Sequence, residues 1–374
     1  MTTFDWYILR LFAKILIICF LALSGLYVTV HLFTNLDEVQ AISAELGGAK
    51  EMAEQFYFPR ILLFFDQTAS LLILASAIFA FTLLQRNNEI TALEAAGISK
   101  SRIARPLFWA AMLLVGLSVI NREYLIPQHQ QSLAKTAQNW MGDKENPMPF
   151  QVDNATGIVL RGSKIIPGRN RILSPEFQVP TQQESRSIQV AAETATYQNQ
   201  NGNHPAGYLI QGLVEDVPTV NDDEDNTLLF AHDRHDWLDD DECFVPCSLS
   251  TEEIVYGNKM RRFTGLPELI QRSRSPSAEF NNYQKVDIHA RVLRPILDYA
   301  ILLLGLPLVV SRRDQNIFVA AAVCIGMVVA LQLVVLGCHS LGAMRILKPA
   351  TLAAWLPIMI FLPWAISSAR KLVQ

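Results

Sequence analysis

Six apolar runs of 15 to 24 residues constrain this chain more than any other feature: Ile15–Phe33, Ile61–Leu84, Pro106–Ile120, Val292–Val310, Ile317–Leu336 and Pro349–Ser368. A bilayer core about 30 Å thick takes roughly 20 helical residues to cross, and within it every backbone N–H and C=O must find a partner inside the protein. Runs of this length therefore read as membrane-spanning helices, three near each end of the chain. The composition agrees, since 51% hydrophobic and 18% charged residues with a mean hydropathy of +0.22 are too apolar for an ordinary soluble domain of 374 residues. A formal net charge of −4 supplies no basic excess, so nucleic acid is not an expected partner. The first run has a second reading as a secretory signal, because Arg10 and Lys14 precede it and Ala22, Ser24 and Gly25 lie within it. Its length, the lack of a clean A-x-A site and the odd number of spans left by its removal favour a span.

Lys and Arg collect beside alternate ends of these runs. Arg10 and Lys14 precede the first, Arg86, Lys100, Arg102 and Arg105 lie between the second and third, Arg312 and Arg313 between the fourth and fifth, and Arg370 and Lys371 after the sixth. The positive-inside bias puts these flanks, and both termini, in the cytoplasm. The loop after the first run, with Asp37, Glu38, Glu45, Glu51 and Glu54 against Lys50 and Arg60, then falls outside, as does the long segment 121–290. The expected organisation is residues 1–120 with three spans, 121–290 as an outer domain and 291–374 with three more spans.

That outer segment carries short β-type runs, at Gly157–Arg161, Arg171–Leu173, Ser187–Val190, Thr194–Tyr197 and Gly207–Ile210, separated by Pro, Gly and Asn. A β-sandwich or jelly roll fits them, with an apolar groove between sheets and open edges for pairing with another protein's strand. Cys243 and Cys247 either close a small disulfide loop or stay as two thiols; both readings stand at this level. Asn221–Asp225 and His232–Glu242 are acidic, yet lack EF-hand spacing and a third fixed ligand beside two His, so a solvated loop is the better reading than a metal site. Asn154-Ala-Thr156 matches a sequon of a kind that arises often by chance. Leu266–Arg272 reads as a short helix with Pro267 in its first turn.

Between the second and third spans stands Arg86-Asn-Asn-Glu89-Ile-Thr-Ala-Leu-Glu-Ala-Ala-Gly97-Ile-Ser-Lys-Ser-Arg102. Ile90, Leu93, Glu94 and Gly97 follow helical spacing, and Gly97 suits a C-terminal stop. On its own this is either an amphipathic connector or a docking helix.

With its Glu89 and Gly97, the segment resembles the coupling helix of the lipopolysaccharide-export permease family (LptF/LptG, also written YjgP/YjgQ). Three further stretches resemble that family in the right order: Asn121–Pro127, Ser187–Tyr197 and Pro349–Pro357. The likeness covers nearly the whole chain, the acidic stretch from about 222 to 242 excepted. It implies an α-helical membrane protein with six spans, three plus three, around an inserted periplasmic β-jelly-roll domain. It also implies a multi-pass inner-membrane permease that extracts lipopolysaccharide and passes it to a periplasmic β-jelly-roll bridge protein.

The implied partners are a cytoplasmic ABC ATPase dimer, which grips a coupling helix near 86–100, and a second permease chain of the same family. No Gly-Lys-Ser/Thr triplet is present to cradle nucleotide phosphates, so the chain is not expected to be an enzyme, and no cofactor or metal is called for. Arg86, Glu89 and Gly97 are the candidate ATPase contacts. Anionic headgroups need cations at the outer membrane face, and Arg122, Arg291 and Arg294 stand there, with His31 where family members can carry a basic residue. These four can equally serve as interfacial anchors, and Asp66 and Asp298 inside the spans can pair with them. Two other functions remain: a membrane scaffold or sensor with an outer β domain, and a permease for another envelope lipid or lipoprotein. No G-x-S-x-G or H-E-x-x-H set favours an enzyme.

Overall fold

The computed structural model describes residues 3–180, 187–201, 204–214, 230–231, 238–239, 242–273, 282–310, 317–344 and 351–370. Asn221–Asp225, most of His232–Glu242, Arg312, Arg313 and Lys371 lie outside the described residues.

The chain divides into two compact units, one formed by Met1–Thr34, Ala53–His129 and Thr264–Gln374, the other by Asn35–Met52 and Gln130–Phe263. In chain order the helices are α1 Thr3–Thr34, α2 Leu36–Leu46, α3 Ala49–Met52, α4 Phe58–Arg86, α5 Glu89–Ala95, α6 Lys100–Ile120, α7 Ile126–Gln128, α8 Gln130–Ala134, α9 Thr251–Phe263, α10 Leu266–Ser273, α11 Asn282–Val310, α12 Ile317–Ala343 and α13 Leu352–Arg370.

Among the described residues, five helical stretches are long and apolar enough to cross a membrane: Thr3–Thr34, Ala49–Arg86, Ser101–Gln128, Ile325–Gly342 and Leu352–Arg370. The sixth expected span lies in α11, a 29-residue helix that carries Arg291, Arg294 and Asp298 among its apolar residues. Ala49–Arg86 and Ser101–Gln128 each run through a π-helical turn, at Ala53–Tyr57 and Asn121–Leu125. The core of this unit joins Ile8 and Phe12 of α1, Ile73, Leu74, Ala77, Ile78 and Phe81 of α4, Ile103, Ala104 and Leu107 of α6, and Ile301, Leu302 and Leu306 of α11. Close approach of α11 to α4 depends on Gly305, where a Cβ would stand 2.5 Å from Leu74 Cδ1. Elsewhere large apolar side chains point outwards, among them Leu21, Leu26, Leu113, Leu333 and Leu336. That is the arrangement expected where lipid replaces water.

The second unit is built on one curled antiparallel sheet, a half-barrel. Its strands are β1 Asn146–Pro147, β2 Gln151–Val152, β3 Val159–Arg161, β4 Lys164–Ile166, β5 Arg171–Leu173, β6 Glu176–Pro180, β7 Ser187–Gln198, β8 Gly207–Leu213, β9 Phe230–Ala231 and β10 Glu242–Pro246. The 12-residue β7 is the spine. Its first half, Ser187–Ala191, pairs with β6 and so with β3 and β2; its second half pairs with β5 and so with β4 and β1. On its other side β7 pairs with β8, which leads to β10 and β9.

Ile188, Val190 and Ala192 face inwards on alternate positions, but the next buried residue is Ala195, so the alternation changes parity at Glu193 and Thr194. Gly212, at φ +70°, lies against Glu193 there. The register with β8 runs through this point unbroken, Ala192 opposite Leu213 and Thr194 opposite Gln211. The core holds Ile158, Leu160, Ile172, Phe177, Val179, Tyr208, Ile210 and Val245, with Ile254 from α9.

Two expected features read differently in three dimensions. Ser187–Val190 and Thr194–Tyr197 are not separate strands but the two halves of β7. Cys243 to Cys247, read as a possible disulfide loop, is mostly the strand β10, and both cysteines are free. An extended chain places positions four apart about 13 Å from each other, whereas a disulfide needs Cα atoms within about 7 Å.

Candidate functional site

The α4–α6 connection is short and fixed at both ends. Asn88 precedes α5 in a left-handed conformation, φ +59°. At the other end Gly97, φ +81°, donates its N–H to Glu94 O at 2.9 Å, while Ile98 donates to Leu93 O at 3.0 Å. These two bonds form a Schellman stop, and the left-handed residue it requires is easily adopted only by glycine. Leu93 and Ile98 flank the stop, and with the buried Ile90 they pack against the core containing Ile8, Phe12 and Ile103.

Glu89, in the first turn of α5, accepts a hydrogen bond from Tyr7 Oη of α1 at 3.2 Å and one from Asn87 Nδ2 at 3.3 Å. Arg86 is exposed at the end of α4 and Gly97 is exposed after α5. The three residues singled out in the sequence therefore mark the two ends of one short helix. Tyr7 is a partner that the sequence reading missed, since 82 positions separate it from Glu89.

The four cations expected at the outer face lie in different surroundings. Arg122 belongs to the π-helical turn that continues α6, and it is buried. The wider turn rotates its side chain onto α4, where Nε and Nη2 donate to Asp66 Oδ1 at 2.9 and 2.6 Å. Arg294 of α11 approaches the same carboxylate from the other side, with Nη1 3.4 Å from Oδ2 and Nη2 donating to the main-chain oxygen of Asp66 at 3.0 Å. Asp298, one turn further along α11, is also buried. Beside Arg122, Asn121 donates to Leu62 O at 2.9 Å.

Two Arg and two Asp are thus gathered from α4, α11 and the continuation of α6 into one cluster. Arg291, by contrast, pairs with Asp287 through Nε at 3.0 Å and donates Nη1 to Thr264 O at 2.6 Å. It ties the start of α11 to the segment before α10, whose Leu266 N–H is capped by Glu123 at 2.6 Å.

His31 sits among rings, with centroids 6.0 Å from Tyr27, 5.7 Å from Phe56 and 5.8 Å from Tyr57. Arg60, which the sequence reading counted only as a loop charge, lies 3.5 Å above the Phe56 ring and donates to Phe56 O at 2.7 Å. The cation at this level is therefore Arg60 as much as His31.

In the β unit the buried Asp153 gathers four donors. Ala155 N–H at 3.0 Å and Ser248 Oγ at 2.7 Å reach Oδ1; Thr156 Oγ1 at 3.0 Å and Ser248 N–H at 2.8 Å reach Oδ2. Burial pushes the Asp153 carboxyl up, but the bonds from Ser248, Ala155 and Thr156 outweigh it and hold the group below the ordinary carboxylate value. Thr156 of the sequon is therefore engaged inside the domain. Burial pushes the Cys243 and Cys247 thiols up to about 12. No group of three or more His, Cys, Asp or Glu suited to a metal ion occurs among the described residues.

A family model described as "Lipopolysaccharide export system permease LptF/LptG" matches residues 6–371. Comparison with curated proteins returned no match.

Proposed function

The chain belongs to the LptF/LptG family of lipopolysaccharide export permeases, and from that premise we propose that it is one of two permease chains drawing lipopolysaccharide out of the inner membrane. In this reading residues 1–120 and 291–374 form the membrane part, with both termini cytoplasmic. Residues 121–290 form the periplasmic domain, which hands the lipid to a β-jelly-roll bridge protein. ATP is hydrolysed by a separate cytoplasmic ABC dimer.

The observation that carries the reading is the form of α5. It is seven residues long, closed by the Gly97 stop, and rests its Ile90 on the same core as α1, α4 and α6. A partner pressing on so short a helix moves those helices with it, because an isolated helix of this length has no stability of its own and moves with what it packs on. Glu89, Arg86 and Gly97 are the proposed contacts with the ATPase. On the opposite, outer face, Arg294 and Arg291 of α11, Arg122 just beyond α6 and His31 of α1 are the proposed headgroup cations.

Exchanging Glu89 for Ala tests the motor assignment in the assembled transporter. The expected result is a folded chain whose partner ATPase still turns over while lipid release falls at least several-fold. Unchanged lipid release per ATP hydrolysed would refute the assignment.

A further inference from the structure

Arg122 and Arg294 hold one carboxylate unequally. Arg122 places two short bonds on Oδ1 of Asp66, and its side chain is 8% exposed. Arg294 reaches Oδ2 only at 3.4 Å, and its side chain is 35% exposed. Withdrawing Arg122 would strip a carboxylate that is itself 7% exposed of its main partner, which a low-dielectric interior does not tolerate. Withdrawing Arg294 leaves Asp66 still bound by Arg122. One arm of the pair is fixed and the other is exchangeable.

We propose that Asp66 is a built-in counter-ion for Arg294, occupying its guanidinium while the site is empty and yielding it to the phosphate of an anionic lipid, while Arg122 stays on Asp66 throughout and touches no lipid. The assignment rests on the headgroup reading of Arg294 given above, and it removes Arg122 from that set.

The chemistry of exchange follows from the acceptors. A phosphate offers up to three oxygens and more than one negative charge to the guanidinium fork, against one carboxylate oxygen at 3.4 Å and the Asp66 main-chain oxygen at 3.0 Å. While Asp66 stands beside it, the Arg294 guanidinium already has a counter-charge and presents less positive potential to an arriving anion. Capture proceeds by replacing one partner of Arg294 with another, and the return of Asp66 to Arg294 favours release. A transporter needs that reversibility, because a headgroup bound by an unopposed buried cation would leave slowly.

The test is equilibrium binding of fluorescent lipopolysaccharide, with and without its phosphates, to the full chain in its assembled transporter. Asp66→Asn removes the competing charge and should tighten binding of the phosphorylated lipid by about 3- to 10-fold, the equivalent of one partly exposed ion pair. Binding of the dephosphorylated lipid should not change. Arg294→Ala should weaken binding of the phosphorylated lipid, and the gain from Asp66→Asn should vanish in the double variant.

If Arg294→Ala changes neither lipid, the headgroup reading of Arg294 fails. If it weakens binding but Asp66→Asn leaves affinity at or below that of the parent, the counter-ion role fails while the headgroup reading stands. A gain that survives in the double variant also overturns it. Should Asp66→Asn not fold, Asp66→Glu keeps the charge for Arg122 and extends it towards Arg294. Weaker binding of the phosphorylated lipid is then expected, and equal or tighter binding would overturn the proposal.

Discussion

Replacing Asp153 by Asn is the smallest change that the β unit should be unable to absorb. The two carboxylate oxygens each receive one backbone N–H, from Ala155 on Oδ1 and from Ser248 on Oδ2, and one hydroxyl, from Ser248 on Oδ1 and Thr156 on Oδ2. A hydroxyl can turn round and accept from an amide, but a backbone N–H cannot. Whichever way the Asn side chain is placed, its NH2 therefore faces one N–H donor head-on. The residue is 1% exposed, so water cannot relieve the conflict.

Losing one charge-assisted bond and leaving one buried donor unmet costs about 2–4 kcal/mol. For a unit of this size each kcal/mol moves the melting midpoint by about 2–4 °C, so the β unit should melt about 4–16 °C lower. The measurement is tryptophan fluorescence or limited proteolysis of the full chain against temperature. The effect should also depend on pH. Because the folded carboxyl lies below its ordinary value of 3.8, its ionisation stabilises the fold above that value, and the contribution is lost as pH falls through the folded pKa. Parent and variant should therefore differ most at neutral pH and converge in acid. A variant melting within about 1 °C of the parent at pH 7 would refute the reasoning, since even a single lost hydrogen bond should exceed that.

Gly305→Ala should destabilise the membrane unit by about 1–3 kcal/mol, the usual cost of overpacking a filled core, because the added methyl meets the fully buried Leu74; in a detergent melt its added cost should shrink when Leu74 is already replaced by Ala. Gly97→Ala meets no neighbour within 4 Å, so its cost is the left-handed backbone alone, roughly 1–2 kcal/mol. Gly97→Asn should be milder and Gly97→Val worse in co-purification of the ATPase. Cys243 and Cys247, buried and with thiols pushed up to about 12, should resist maleimide in the folded chain and react once it is denatured. Peptide mass mapping should show Cys243 and Cys247 both as thiols, with no bridge between them.

Length and apolarity alone determined the membrane helices, because a bilayer imposes the same requirement on every spanning segment whatever its neighbours. The left-handed stop at Gly97 was legible for a similar reason, since a helix end is a local event that one residue type resolves. The strands of the β unit were partly legible: β3, β5 and β8 overlap the runs read from alternation, while β10 was hidden inside a cysteine spacing that suggested a loop.

What the sequence left open is which polar group meets which. An Arg at the membrane surface has one composition whether it snorkels, binds a headgroup or pairs with a carboxylate. Only the packing of α4 against α11 and the continuation of α6 brings Asp66 to Arg122, 56 positions away, and to Arg294, 228 positions away. Asp153 and Ser248, 95 positions apart, meet for the same reason. Periodicity reports the free energy of moving a segment between solvents, which is a sum over neighbouring residues. The pairing of buried charges depends on distances of about 3 Å between segments, and those distances exist only once the helices and strands have packed.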